Sequence, residues 1–366
     1  PADGEEWQVH GGGFYHIQKY LVAPEKMPDH LTWFKWESYA TWMSGFALLI
    51  LVYYLGAELY LIDPNVADLS LWQAIAISSG SLVFGWYAYH YICLSKFGDN
   101  NTRLMIFLFG VLVLMAWGYT QVFSGRAALL HLGAFTATIM SANVFLLIIP
   151  NQRIVVADLI AGKRPDPKYG KIAKQRSTHN NYLTLPVLFL MLSNHYPLAF
   201  ASEMNWLIAS LIFLVGVLIR HYFNSNHSRT GNPTWTWLAA AVVMIVIAWL
   251  SSAPMFQRQS SELLGPQSSR FAQADGFEQV HDIIRGRCAM CHTAEPAWDG
   301  IAWPPKGIRF DTTEDIARNA KDIYLQAGVT NAMPPANLSF MEAAERDLIV
   351  AWYRAAVAGE PMLVTR

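Results

Sequence analysis

Residues 285–296 read RGRCAMCHTAEP, which sets Cys288, Cys291 and His292 at Cys-x-x-Cys-His spacing. That spacing lets two thiols add to porphyrin vinyl groups while the adjacent imidazole takes the iron, the arrangement of a covalent c-type haem. A zinc site is the other reading, but structural zinc asks for four ligands and only these three are clustered. A second axial ligand is expected downstream, and TNAMPPANL supplies Met333 in a loop stiffened by Pro334 and Pro335. Met290, inside the motif, and Met341, in the run MEAAERDLIVAWYRAAV, are weaker candidates. A His/Met haem passes single electrons and does little chemistry itself, so another part of the chain or a partner must feed it.

Four histidines fall within long apolar segments: His90, His131, His195 and His221. Ionisable groups there are costly and point to function by default. By depth they form two levels, His90 with His221 and His131 with His195, as one or two bis-histidine b-type haems stacked across a bilayer would need. Hydrogen-bonded structural histidines are the alternative. A second polar concentration lies in HGGGFYHIQKY, containing His16, and in KQRSTHNNYLTLP. Arg176 offers a planar fork of donors, His179 a titratable base, and Asn180 and Asn181 paired donors and acceptors, a set suited to a flat anionic heterocycle. Helix capping by Ser177, Thr178 or Asn180 is the plainer reading. Gly11 to Gly13 do not follow an expected strand, so a tight turn is preferred over a dinucleotide fingerprint.

The elements that must carry these groups are set by composition. Hydrophobic residues make up 53% of 366 and charged ones 14%, and the mean hydropathy is +0.23, far from a water-soluble domain. With 26 Lys+Arg against 27 Asp+Glu, no nucleic-acid partner is indicated. Seven apolar segments read as membrane spans, at 36–62, 70–94, 103–123, 126–149, 181–200, 204–223 and 234–253. Pro186 and Pro197 are expected to kink or end the fifth. The expected class is all-α: a polytopic helix bundle over 1–253, a Ser/Gln/Pro-rich tether over 254–274, and a soluble unit over 275–366. Loop 150–180, with Arg153, Lys163, Arg164, Lys168, Lys171, Lys174 and Arg176, is expected inside the cell. Counting spans then puts the N-terminal segment in the cytoplasm and the C-terminal unit outside, in the periplasm of a bacterial inner membrane.

The stretches HGGGFYHIQKY, WFKWESYATWMSGFALL, PNQRIVVADLIAG and KQRSTHNNYLTLPVLFLMLSNHYP resemble the membrane domain of bacterial urate hydroxylases fused to cytochrome c, and the likeness spans nearly the whole chain. The final helical run also resembles the last helix of a class I cytochrome c, with Leu348, Trp352 and Ala356 at packing positions. That family typically carries one more apolar helix ahead of HGGGFYHIQ, making eight. The resemblance implies water-dependent oxidation of urate to 5-hydroxyisourate without peroxide. Electrons would pass to haem c and then to a respiratory cytochrome or terminal oxidase. Arg176 would pin urate, Asn180 and Asn181 would fix its edge, and His179 or His16 would be the base. A non-catalytic electron-transfer subunit, fed by quinol or a dehydrogenase, is the competing expectation.

Overall fold

The computed structural model describes residues 4–20, 24, 27–63, 66–195, 199, 204–228, 230–257, 266–299, 301, 303–330 and 332–359. It is mostly helical, but it opens on a strand pair, which amends the all-α expectation. Strands β1 (Gly4–His10) and β2 (Gly13–Lys19) run antiparallel, with Trp7 opposite His16. Gly11 and Gly12 link them at φ +57° and +80°. Two consecutive positive φ values make the hairpin turn whose twist matches the strands, and glycine takes them without a Cβ penalty. The glycines therefore do follow a strand. A second strand follows them rather than a helix, so no phosphate-binding turn results.

Among the described residues, each of the seven apolar segments contains helix. The first is interrupted: α1 (Trp36–Leu49) passes into a π-helical turn at Ile50–Tyr54, and a single further turn covers Ala57–Tyr60. Then come α2 (Leu71–Leu94), α3 (Asn101–Val122) and α4 (Gly125–Ala142). α4 continues through a π-helical stretch, Asn143–Ile148, into α5 (Ile149–Ile160). α6 (Pro167–Leu192), α7 (Asn205–His227) and α8 (Trp235–Gln257) complete the bundle. Asn101–Val122, Gly125–Ile160 and Asn205–His227 are long and apolar enough to cross a membrane. Large apolar side chains such as Leu55, Phe84, Ile106, Leu238 and Ile245 face outward. Such a surface is compatible with lipid and costly in water.

The basic segment 150–180 is not a loop. Only residues 161–166 separate α5 from α6, and the Asp166 side chain caps α6 by accepting from the Lys168 amide at 2.9 Å. Arg176, His179, Asn180 and Asn181 thus stand on a helix, well past its capped end, and the capping reading of Ser177, Thr178 and Asn180 gives way. Pro186 sits inside α6, and a Cβ on Gly216 of α7 would fall 2.5 Å from its Cδ, so glycine is what lets α7 approach there. Pro197 lies outside the described residues. α4 is the central helix: it packs on α1, α2, α3, α6 and α7 and buries Leu129, His131, Leu132, Phe135, Thr136 and Ile139.

Of the stretch 254–274, residues 254–257 continue α8, and Pro266–Gln273 forms α9. α9 belongs to the C-terminal unit, because Phe271 is buried beside Trp352 and Trp352 Nε1 donates to the Phe271 carbonyl at 3.0 Å. The unit adds α10 (Phe277–Arg287), α11 (Thr313–Arg318) and α12 (Ala343–Ala358) around Val280, Ile284, Ile316, Ile349 and Trp352. On α12 the expected Trp352 and Ala356 are buried, with Ile349 and Tyr353 completing the face and Leu348 only partly covered. The unit touches the bundle through Lys321, whose ammonium donates to the Ile62 carbonyl and lies 4.0 Å from Asp63.

Candidate functional site

Arg176 is fully buried on α6. Its guanidinium lies over the Tyr89 ring of α2, 4.9 Å from the centroid, and Nη2 makes a long 3.4 Å contact to the His90 carbonyl. Nε and Nη1 have no partner at full hydrogen-bond geometry among the described residues, although the Tyr89 hydroxyl and the Cys93 thiol lie close enough to interact with the guanidinium. A buried cation with two idle N–H groups is expensive unless an anion completes it.

One turn along, His179 Nδ1 lies 2.8 Å from the Tyr89 hydroxyl. Asn143, at the start of the π-helical stretch after α4, donates through Nδ2 to that hydroxyl at 3.0 Å and to Asn180 Oδ1 at 3.1 Å. Asn180 Nδ2 in turn donates to the Met140 carbonyl at 2.9 Å. Asn143 is fully buried, and its Oδ1 has no partner among the described residues. An apolar cavity of about 510 Å³ adjoins, with Tyr89, His179 and Tyr182 on its wall among Phe84, Phe109, Phe135 and other apolar side chains.

The structure thus brings Arg176, His179 and Asn180 together and adds Tyr89 and Asn143, which sequence reasoning missed. A polar residue in an apolar run is the sequence signal for Asn143; the π-helical turn that begins there is seen only in the structure. Asn181 faces the other way, its Oδ1 accepting from Asn224 of α7 at 2.9 Å. Asn180 and Asn181 are therefore not a pair. His16 stays on the hairpin, stacked on Trp7 at 4.3 Å and 3.0 Å from Glu5. No described contact joins it to Arg176.

In the C-terminal unit, Cys288 and Cys291 are free thiols. Burial, then the neighbouring Cys291, pushes the Cys288 thiol up to about 12, and burial also raises Cys291. Neither is poised as a free thiolate for redox exchange. His292 Nδ1 bonds the Ile308 carbonyl at 3.0 Å. A carbonyl can only accept, so Nδ1 carries the proton and the Nε2 lone pair is left for a metal. Met333 packs against the unit's core, and Arg346 fixes its loop by donating to the carbonyls of Ala327 and Met333, the latter at 2.8 Å.

The family model described as urate oxidase N-terminal matches residues 1–251, well over half of the 366. The chain belongs to the urate oxidase N-terminal family. Membership ties it to oxidation of urate, as an oxidoreductase. Comparison with curated proteins and with solved structures returns no match. In this urate oxidase relative every residue of the Arg176 cluster lies inside the matched span, whereas Cys288, Cys291, His292 and Met333 lie beyond it.

The four histidines of the apolar segments differ from the stacked-haem expectation in their surroundings. Both His131 nitrogens are taken: Nδ1 donates to the Ala127 carbonyl at 2.8 Å, and Nε2 accepts from Ser78 Oγ at 2.8 Å. Tyr54 stands 2.8 Å behind Ser78, so His131 is a satisfied core residue. His195 is exposed on a short 3₁₀ turn, Ser193–His195. As placed here, His131 has no free ring nitrogen and His195 lies at the surface. His221 is exposed, with Nδ1 3.2 Å from the Tyr182 hydroxyl, and His90 stacks on Trp86 at 5.1 Å with Nδ1 unpartnered. Among the described residues no hydrogen bond or ring contact joins either expected pair.

Proposed function

We propose that the protein oxidises urate to 5-hydroxyisourate at the Arg176 cluster and delivers the electrons to a covalent haem in its C-terminal unit. Urate and water would give 5-hydroxyisourate, two protons and two electrons, so the new oxygen comes from water and no peroxide forms. The observation that carries this reading is Arg176, fully buried with Nε and Nη1 lacking a partner at full hydrogen-bond geometry. Urate is a planar anion whose oxygens answer such a fork, and charge-assisted hydrogen bonds in a buried site are strong.

His179 shares the cluster and would be the base that takes a proton from urate or water. The Tyr89 oxygen accepts from Asn143 and shares a hydrogen with His179 Nδ1, whose donor or acceptor role follows the imidazole tautomer.

Cys288 and Cys291 would hold the haem through thioethers, with His292 and Met333 on its iron, and the bound group would supply a one-electron acceptor. Ile308 and Arg346 keep the two ligand-bearing segments oriented in the meantime. By the positive-inside rule, the Arg176 end of the bundle would lie in the cytoplasm of a bacterial inner membrane and the C-terminal unit in the periplasm. A periplasmic cytochrome or a terminal oxidase would be the onward acceptor. The test is anaerobic addition of urate to purified protein: reduction of the haem absorbance without added quinol is expected, and reduction by quinol alone overturns the proposal.

A further inference from the structure

The amide orientation of Asn143 is fixed from a distance. The Met140 carbonyl can only accept, so Asn180 must point Nδ2 at it and turn Oδ1 towards Asn143. Asn143 must then offer Nδ2 to Asn180, and the second hydrogen of the same nitrogen meets the Tyr89 oxygen. Flipping the Asn143 amide would set two carbonyl oxygens against each other in a buried site. Both donors of Asn143 are therefore spent, while its acceptor, fully buried, has no partner among the described residues. A buried polar atom without a partner costs free energy and asks for one. Arg176, with its idle Nε and Nη1, lies on the ring of the Tyr89 that Asn143 holds, so an unsatisfied acceptor and unsatisfied donors share one neighbour.

We infer that Asn143 is a specificity-determining residue whose Oδ1 accepts a hydrogen bond from a ring N–H of the substrate while Arg176 takes a neighbouring oxygen. This rests on the urate reading and deepens it: the site selects heterocycles that place an imide-type N–H beside a C=O. Tyr89 acts as a positioning residue, because without its oxygen only Asn180 holds the amide. A substrate methylated at the nitrogen facing Asn143 loses the hydrogen bond and meets a clash, whereas methylation elsewhere leaves the pair intact.

The experiment measures urate and each mono-N-methylated urate as substrates of the full-length haem-loaded protein, together with their dissociation constants by thermal shift. Wild type is expected to reject one isomer by about 100-fold or more in kcat/KM relative to urate. In Asn143→Leu that ratio is expected to collapse to within about threefold, with urate itself weakened. Tyr89→Phe keeps the acceptor but loosens it, and is expected to lower the ratio by an intermediate factor; it decides the matter should Asn143→Leu fail to fold. Equal handling of all isomers by wild type, or the wild-type ratio in both variants, overturns the inference. If wild type binds no urate, the underlying urate reading falls and takes this one with it. If urate binds and turns over but the ratio does not move in the variants, only the role of Asn143 is lost.

Discussion

Lys321 of the C-terminal unit donates to the carbonyl of Ile62, at the end of the bundle where the Ser124 amide also meets the Leu61 carbonyl. Asn143 sits at the other end of α4, about 28 Å away by helix rise from Ser124. The two chemistries assigned to the chain thus belong to opposite ends of one helix bundle. Lys321 is 8% exposed, and burial pulls its ammonium below the usual range against the opposing pull of Asp63 and Asp322. A buried lysine held by another part of the chain is a docking contact that one substitution can open.

Lys321→Glu, facing Asp63, is therefore expected to slow urate-driven haem reduction several-fold, while reduction by dithionite from solution stays unchanged. Adding Asp63→Lys should recover part of the loss, and a double-mutant cycle should give a coupling of about 0.5–3 kcal/mol. Stopped-flow absorbance reads both rates, and zero coupling would remove the docking role.

Arg176→Ala leaves the substrate anion without its fork, and Arg176→Lys replaces five planar donors by a point charge. Both are expected to raise KM for urate on the order of 100-fold, in line with losing about 2–3 kcal/mol of charged hydrogen bonding. Steady-state kinetics with an artificial acceptor measure it, and an unchanged KM would reject the assignment.

The helices were legible because their apolar residues are many and continuous. The start of α6 was not, for a specific reason. Its buried face from Ala173 through Arg176 and His179 to Pro186 has helical spacing, but polar residues carry it, so hydrophobic periodicity reads it as a charged loop. Tyr89 and Asn143 were hidden in the opposite way, as polar groups inside runs that only their apolar neighbours made visible. Gly11 and Gly12 did announce a turn, yet pairing of Trp7 with His16 depends on two short flanking strands that a helix-rich composition obscured. The Arg176, His179 and Asn180 cluster was named from residue type alone. Its acceptor, Asn143, needed the fold.

His292→Ala should abolish urate-driven reduction at the C-terminal unit while leaving urate affinity, by thermal shift, within about twofold of wild type. The expectation follows from the separation of the sites. A parallel loss of urate binding would mean that the two ends are not independent.

His131→Leu removes the acceptor of Ser78 and the donor to Ala127 in a closed core. It should destabilise the protein by about 1–3 kcal/mol, seen as a lowered Tm, with no change in haem content by pyridine haemochrome. Loss of a b-type signal in this variant would restore His131 as a ligand.

The most direct test of the account uses proteoliposomes of known orientation, with urate and a membrane-impermeant ferric acceptor supplied on chosen sides. Turnover is predicted only when urate is on the side of the α5–α6 connection, residues 161–166, and the acceptor is on the opposite side. Turnover with both confined to one side, and none when they are separated, would contradict it.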